Sequence, residues 1–237
     1  MTGPCAGDVF WPGEAVGQMG DAINHPHVVL YPAGERRSTL VKGTTSPSDI
    51  ERCPQLCHRV APDASNGLRK TGWMQGPVLE RTAGRYLRSP VGALTPTDFA
   101  AVRQVVAAAL GVGTGVGLYP RDEMRGRIVR LNLPMAKPDV EWAVVLTELE
   151  YSAKQHRQVI VPLLDATGRM LSSATIFLPA QDLQLATDGA LTQAFAAVEL
   201  VQSLWQPRHV AATTKVTVQE TLLDAIARAA MAFLGVP

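Results

Sequence analysis

The sequence predicts a mainly β fold with terminal helices, set out twice along the chain, and three observations carry that expectation. Short β-prone runs divided by Gly- and Pro-rich turns occupy the first half: Val9-Phe10-Trp11, Val28-Val29-Leu30-Tyr31 and Leu40-Val41. A capped amphipathic helix closes that half. Thr95 takes the N-cap place, Pro96 the first turn, apolar residues recur at Phe99, Val102, Val105, Val106 and Leu110, and Gly111 is the stop. The same order of elements then returns at near-constant separation. Gly7 and Gly126 are 119 residues apart, Val28 and Val144 116, Val41 and Ile160 119, and Leu110 and Leu234 124.

Taken in order, residues 13–24 lack any periodicity and read as a long loop between the first two strands. Four glycines in the seven residues 111–117 follow a helix, whereas a phosphate-binding loop follows a strand and opens a helix, so they read as a linker. Beyond it, Gly126-Arg127-Ile128-Val129-Arg130, Trp142-Ala143-Val144-Val145-Leu146, Gln158-Val159-Ile160-Val161-Pro162-Leu163 and Ala197-Val198-Glu199-Leu200-Val201 read as strands. A helix is expected from about Thr217 to Leu234, with Gly235 after it. The expected organisation is a first domain over 1–112, a linker over 113–125 and a second domain over 126–237.

The 237 residues are 46% hydrophobic and 18% charged, as in an ordinary globular protein, and no apolar run approaches the ~18 residues of a membrane span. Met1-Thr2-Gly3-Pro4-Cys5 lacks a basic region followed by an apolar one, so no secretory signal is expected and the compartment is read as cytoplasmic, without a membrane partner. Three cysteines, Cys5, Cys53 and Cys57, do not make a disulfide framework. Cys53-x-x-x-Cys57-His58 lacks the second ligand pair of a closed zinc site, and neither a metal nor a cofactor is expected. A net charge of +1 gives no whole-molecule argument for nucleic acid. Locally, Arg69, Lys70, Arg81, Arg85 and Arg88 against Glu80 make a basic strip, which reads either as a phosphate-attracting face or as a solvated strand edge.

In chain order, Gly7-Asp8-Val9-Phe10-Trp11, His25-Pro26-His27-Val28-Val29-Leu30, Gly43-Thr44-Thr45-Ser46 and Gly67-Leu68-Arg69-Lys70-Thr71-Gly72-Trp73-Met74-Gln75 resemble the PemK/MazF family of small toxins. The motifs cover 7–110, and element order alone carries the resemblance over 126–236. It implies an SH3-like barrel closed by a C-terminal helix, sequence-selective RNA cleavage without a metal, single-stranded RNA as substrate and an antitoxin protein as partner. Family members are homodimers about half as long as this chain. Two units in one polypeptide therefore imply an intramolecular pseudo-dimer.

Residue by residue, the resemblance puts His25 where the family has an active-site arginine, and Thr44, Thr45 and Ser46 at the hydroxyls that contact the scissile phosphate. Arg69, Lys70, Thr71, Trp73 and Gln75 fall along the RNA site. The departures are at Gln75, which replaces the family's catalytic arginine, and at Pro77, which replaces its aspartate. Cleavage through the 2′-hydroxyl needs a base, an acid and donors for the charged phosphorane, and neither an amide nor a proline can exchange protons. Either His25, His27 or His58 does that work, or the barrel binds RNA or antitoxin without cutting. A pure protein-interaction module is a third reading. The second half has Glu141-Trp142 and Pro162-Leu163-Leu164-Asp165 at the matching places, so its site reads as lost. Lys154-Gln155-His156-Arg157 reads as an exposed hairpin tip or a source of phosphate contacts.

Overall fold

The computed structural model describes residues 3–11, 25–32, 37–83, 87, 89–111, 124–132, 140–152, 155–167, 175–206 and 209–236. The expected loop over 13–24 and nearly all of the Gly-rich linker lie outside the described residues. Two compact units divide the chain: Met1–Ala109 together with Met231–Pro237, and Leu110–Ala230.

The first unit contains β1 (Asp8–Phe10), β2 (His27–Tyr31), β3 (Arg37–Thr44), the short α1 (Pro47–Arg52), a 3-10 turn at Pro54–Leu56, β4 (Cys57–Val60), β5 (Gly72–Ala83), β6 (Gly92–Ala93) and α2 (Pro96–Ala109). Its six strands form one sheet in the order β4-β5-β3-β2-β1-β6, antiparallel throughout. Alternation along the strands sends Val9, Val28, Val41 and Met74 into the core, where α2 supplies Val102, Val106 and Ala109, all fully buried. The helix approaches β5 backbone to backbone at Gly76, where a Cβ would stand 2.2 Å from the Val105 carbonyl oxygen. Thr95 caps α2 as expected, its Oγ1 accepting the Asp98 N–H at 3.1 Å. Residues 231–237 complete this unit, with the Phe233 ring tilted against Tyr31 at a centroid distance of 4.2 Å.

The second unit contains β7 (Arg127–Leu131), β8 (Trp142–Ser152), β9 (Gln155–Asp165), β10 (Ile176–Phe177), α3 (Ala180–Thr187), β11 (Ala194–Ala196), β12 (Gln202–Gln206), β13 (Val210–Thr217) and α4 (Glu220–Phe233) as far as Ala230. The sheet order is β10-β11-β9-β8-β7-β13, and β12 also pairs with β9. Residues 197–201, expected as a strand, instead hold a 3-10 turn at Val198–Leu200. The reason lies in β9, whose one edge is shared by β11 at Leu163–Asp165 and β12 at His156–Ile160. Pro162 has no N–H to offer the ladder between them, and the chain steps across that gap, with Ala197 N–H donating to the Pro162 carbonyl at 2.9 Å. Arg125 ties the start of α4 to β8: Nη1 donates to the Leu146 carbonyl at 2.7 Å, and Nη2 meets Glu220 Oε1 at 2.8 Å.

Several backbone features occur in both units. Gly7 N–H donates to Val29 O at 2.9 Å and Gly126 N–H to Val145 O at 2.8 Å. Leu94 N–H donates to Gly7 O at 3.0 Å and Val218 N–H to Gly126 O at 2.9 Å. The β2/β3 pairing slips just after Val29↔Leu40, and β8/β9 slips just after Val145↔Ile160. Both α2 and α4 run for 14 residues. Between β4 and β5 the first unit has a loop, whereas α3 fills the corresponding place between β10 and β11. Among the described residues no helix is long and apolar enough to cross a membrane.

Candidate nucleic-acid interface

Backbone register builds a row of three residues across the first unit's sheet. Trp73 on β5 pairs with Thr44 on β3 and, on its other side, with Arg59 on β4. Directly opposed residues of antiparallel strands put their side chains on one face, so the three share it. Met74, one residue on, points to the opposite face and is fully buried there. Arg59 is exposed, Trp73 half-buried and Thr44 buried. After Thr44 the chain turns, and the Thr44 hydroxyl shapes that turn by accepting Ser46 N–H at 3.1 Å. Thr45 is left exposed at the apex, and Ser46 Oγ meets Ser48 Oγ at 2.9 Å. Gly43 N–H donates to the Pro26 carbonyl at 2.7 Å, which brings the half-buried His25 alongside this turn.

A second small structure presents Arg69 and Lys70. Asp63 accepts Ser65 N–H and Ser65 Oγ–H, each at 2.6 Å, and Asn66 N–H at 2.9 Å. The Ser65 hydroxyl, followed by the Ser65 N–H, holds the Asp63 carboxyl below the ordinary aspartate value against the opposing effect of desolvation, with the Asn66 N–H adding least. Asn66 is fully buried, donating from Nδ2 to Ala61 O at 2.8 Å and accepting Leu68 N–H on Oδ1 at 2.9 Å. Gly67 takes φ +65°, and a Cβ there would lie 2.3 Å from Val91 O, so the turn requires glycine. Leu68 is buried as an anchor, while Arg69 and Lys70 project into solvent and Thr71 leads into β5.

Gln75 and Pro77 are both inside. Gln75 is 3% exposed on the Trp73 face, and its Nε2 has no hydrogen-bond partner among the described residues. Pro77 is buried in the middle of β5. The histidines separate clearly. His27 is fully buried, with Nδ1 3.0 Å from the His25 carbonyl oxygen and Nε2 3.0 Å from Glu80 Oε2. His58 faces the other side of the sheet, its Nε2 2.9 Å from Asp98 Oδ1, while Asp98 Oδ2 accepts the Thr95 hydroxyl at 2.9 Å. It therefore ties β4 to the cap of α2. His25, half-buried, directly precedes Pro26 and so lies beside the hydroxyl turn.

The fold thus brings together His25, Thr44, Thr45, Ser46 and Trp73, places Gln75 on the same face, and sets Arg69 and Lys70 at the entry to β5. Of the basic strip, Arg81 is half-buried and Arg85 and Arg88 lie outside the described residues. Lys154 also lies outside them. Arg157, expected at an exposed tip, is buried to 5% exposure, because β9 is flanked by Leu149 on β8 and Trp205 on β12 at that register. Among the described residues Cys5, Cys53 and Cys57 form no disulfide, and the last two are buried. Sequence reasoning missed Arg59, Glu80 and Asn66. Only Asn66-Gly67 carries a local signal, a turn dipeptide three residues after an aspartate.

The second unit has an apolar row at the corresponding register. Phe177 on β10 pairs with Phe195 on β11, which pairs with Leu164 on β9, where the first unit has Arg59, Trp73 and Thr44.

No family model and no curated protein sequence matches this chain. Among solved structures it is similar to an endoribonuclease in complex with its cognate antitoxin from a mycobacterial species, at 21% identity over 48% of this chain and 99% of that one, with a TM-score of 0.35. It is also similar to an endoribonuclease from a mycobacterial species, at 20% identity over 48% of this chain and 97% of that one, with a TM-score of 0.33.

Proposed function

We propose that this chain is a PemK/MazF-like toxin-type protein, a metal-independent endoribonuclease acting on single-stranded RNA at one site in its first unit. The observation that carries the reading is the row Arg59, Trp73 and Thr44, which sets a cation, an aromatic face and a hydroxyl turn side by side. A single strand is held by those means: phosphate neutralisation, base stacking and hydrogen-bond donation. In the reaction the RNA 2′-hydroxyl attacks the adjacent phosphorus, its proton passing to a base while the leaving 5′-oxygen takes one from an acid. His25 serves the proton exchange, and Thr44, Thr45 and Ser46 donate to the phosphorane oxygens. Arg69 and Lys70 neutralise the backbone, Thr71 and Trp73 contact the bases, and Gln75, buried on the same face, backs them.

The second unit in this reading is a degenerate copy that takes the place of a dimer partner, with 1–112 and 126–237 as the copies and 113–125 as the linker. The paired glycine hydrogen bonds, the matching strand slips and the two helices of equal length support the duplication. The row Phe177, Phe195 and Leu164 supports the loss of its site. An antitoxin is the expected protein partner, in the cytoplasm.

Gln75 and Pro77 favour a second reading, an inactive paralogue that binds RNA or antitoxin without cutting, since neither side chain exchanges protons. One experiment separates the two. Unstructured RNA is incubated with wild type, His25→Ala and Thr45→Ala, with and without EDTA, and binding is measured in parallel. Chelator-resistant cleavage that falls on the order of a hundredfold in each variant is expected. Binding without cleavage by the wild type would establish the inactive reading, and full activity in both variants would remove this site.

A further inference from the structure

His27 is fully buried, and both ring nitrogens meet acceptors: the His25 carbonyl oxygen at Nδ1 and Glu80 Oε2 at Nε2, each at 3.0 Å. A carbonyl oxygen only accepts, so Nδ1 carries a hydrogen. Nε2 then faces a carboxyl oxygen, and that contact is a hydrogen bond only with a proton between the two, whether it resides on the imidazole or on the carboxyl. In both cases Nδ1–H stays directed at His25. Glu80 reaches the ring from β5, two strands away, across β3, where Lys42 lies opposite His27 and Leu40 opposite Glu80. A buried ring with both nitrogens engaged has one orientation, because any other leaves a polar atom unsatisfied.

We infer that His27, held by Glu80, is a positioning residue for His25: its Nδ1–H pins the His25 carbonyl and so fixes the segment that presents the His25 ring to the Thr44 turn. This rests on the reading of His25 as a site residue. The next carbonyl, of Pro26, is pinned by Gly43 N–H at 2.7 Å, so two successive carbonyls are held. The second unit supplies an internal contrast. Its register places Ala143 opposite Pro162 where His27 is opposite Lys42, and Gln202 opposite Ile160 where Glu80 is opposite Leu40. The pin is lost there together with the hydroxyl turn.

The test records nitrogen–proton correlation spectra of the histidine rings and backbone amides in the whole protein, for wild type, His27→Leu, His27→Asn and Glu80→Gln. The affinity of each for a short single-stranded RNA is measured alongside. A protonated, slowly exchanging Nδ1 is expected on His27 in the wild type. His25 signals should be displaced in His27→Leu and kept in His27→Asn, whose amide stands where Nδ1–H was, and in Glu80→Gln, whose amide can donate to a bare Nε2. RNA affinity should fall at least about fivefold in His27→Leu and stay within about twofold in the other two, because only the first loses the hydrogen bond to the carbonyl. A bare Nδ1 in the wild type, or His25 signals unmoved by His27→Leu, overturns the inference. Should His27→Leu not fold, the conservative pair decides: His25 signals held in both support the pin, and signals displaced in both reject it. A wild type that binds no RNA removes the proposed function, while the spectra still decide the role of His27.

Discussion

Trp73 on β5 stands directly opposite Thr44 on β3, so an indole and a hydroxyl turn share one face of the first unit's sheet, with Arg59 completing the row from β4. If a base stacks on that indole, Trp73→Ala should weaken binding of single-stranded RNA by roughly 1–3 kcal/mol, that is, several-fold or more. Trp73 is only half-buried, so the melting temperature should fall less than for a core aromatic. Affinity and thermal unfolding measured on the same variant separate the two roles. A destabilised protein with unchanged affinity would move the binding site elsewhere.

Arg59 is exposed beside that indole, and replacing it should weaken phosphate binding without touching the core. In Arg59→Ala the slope of log affinity against log salt should become shallower by about 0.7 for each phosphate of a single strand that is no longer neutralised. Arg69→Ala and Lys70→Ala should behave likewise. A salt slope unaltered in all three variants would mean that the strand does not pass along this edge of the sheet.

The loop that presents Arg69 and Lys70 depends on Asn66 and Asp63. Asn66→Ala removes three hydrogen bonds from a fully buried place, those to Leu68 N–H, Asp63 N–H and Ala61 O, and should cost about 1–3 kcal/mol in denaturant unfolding. Asp63 adds a pH dependence of known sign. Its carboxyl is held below the ordinary aspartate value, so its contribution is complete above the unfolded-state value and is lost as pH falls through the lower folded-state one. Amide exchange at Ser65 and Asn66 should accelerate over that acid range in the wild type and be fast throughout in Asp63→Ala. Equal protection in both proteins would contradict a role for the carboxylate in holding the loop.

Gly76 has no room for a side chain. Its Cβ would lie 2.2 Å from Val105 O, and backbone atoms of α2 cannot step aside as a flexible side chain can. Gly76→Ala should therefore destabilise the protein by more than the ~1 kcal/mol typical of point changes, within the roughly 1–3 kcal/mol of overpacked cores. Thermal unfolding checks it, and a neutral substitution would mean that α2 does not rest on β5 at this point.

Phe233 near the end of the chain packs on Tyr31 in the first unit. An aromatic pair of this kind couples by about 0.5–1.5 kcal/mol beyond area burial, so a cycle of Tyr31→Leu, Phe233→Leu and the double variant should return a coupling in that range. Additive effects would mean that the two rings do not stabilise each other.

The sequence made the strands around Val28 and Val41, the cap at Thr95 and the stop at Gly111 legible, because each is written in neighbouring residues. The reading failed at 197–201, where hydrophobic content resembles a strand but the ladder is broken by Pro162 on another segment. It also failed at Arg157, where charge suggested exposure and a strand on either side of β9 imposes burial. His25, the Thr44-Thr45-Ser46 turn and the Arg69-Lys70 segment stood out by resemblance to a family, whereas Glu80 stood out only as the acid in a basic strip and Arg59 not at all.

Local chemistry was sufficient for element type, for turns and caps, and for the presence of hydroxyl, basic and aromatic residues in a suggestive order. Which residues meet was not local. His27 and Glu80 are 53 positions apart and His58 and Asp98 40, and each pair meets only because antiparallel registers and the docking of α2 bring those positions together. A one-residue slip in β5 would send Trp73 to the opposite face and Met74 into its place, with the local sequence unchanged. Register, set by the burial of a whole face at once, therefore turns a set of plausible residues into Arg59, Trp73 and Thr44 in one row, and no stretch of chain carries that information alone.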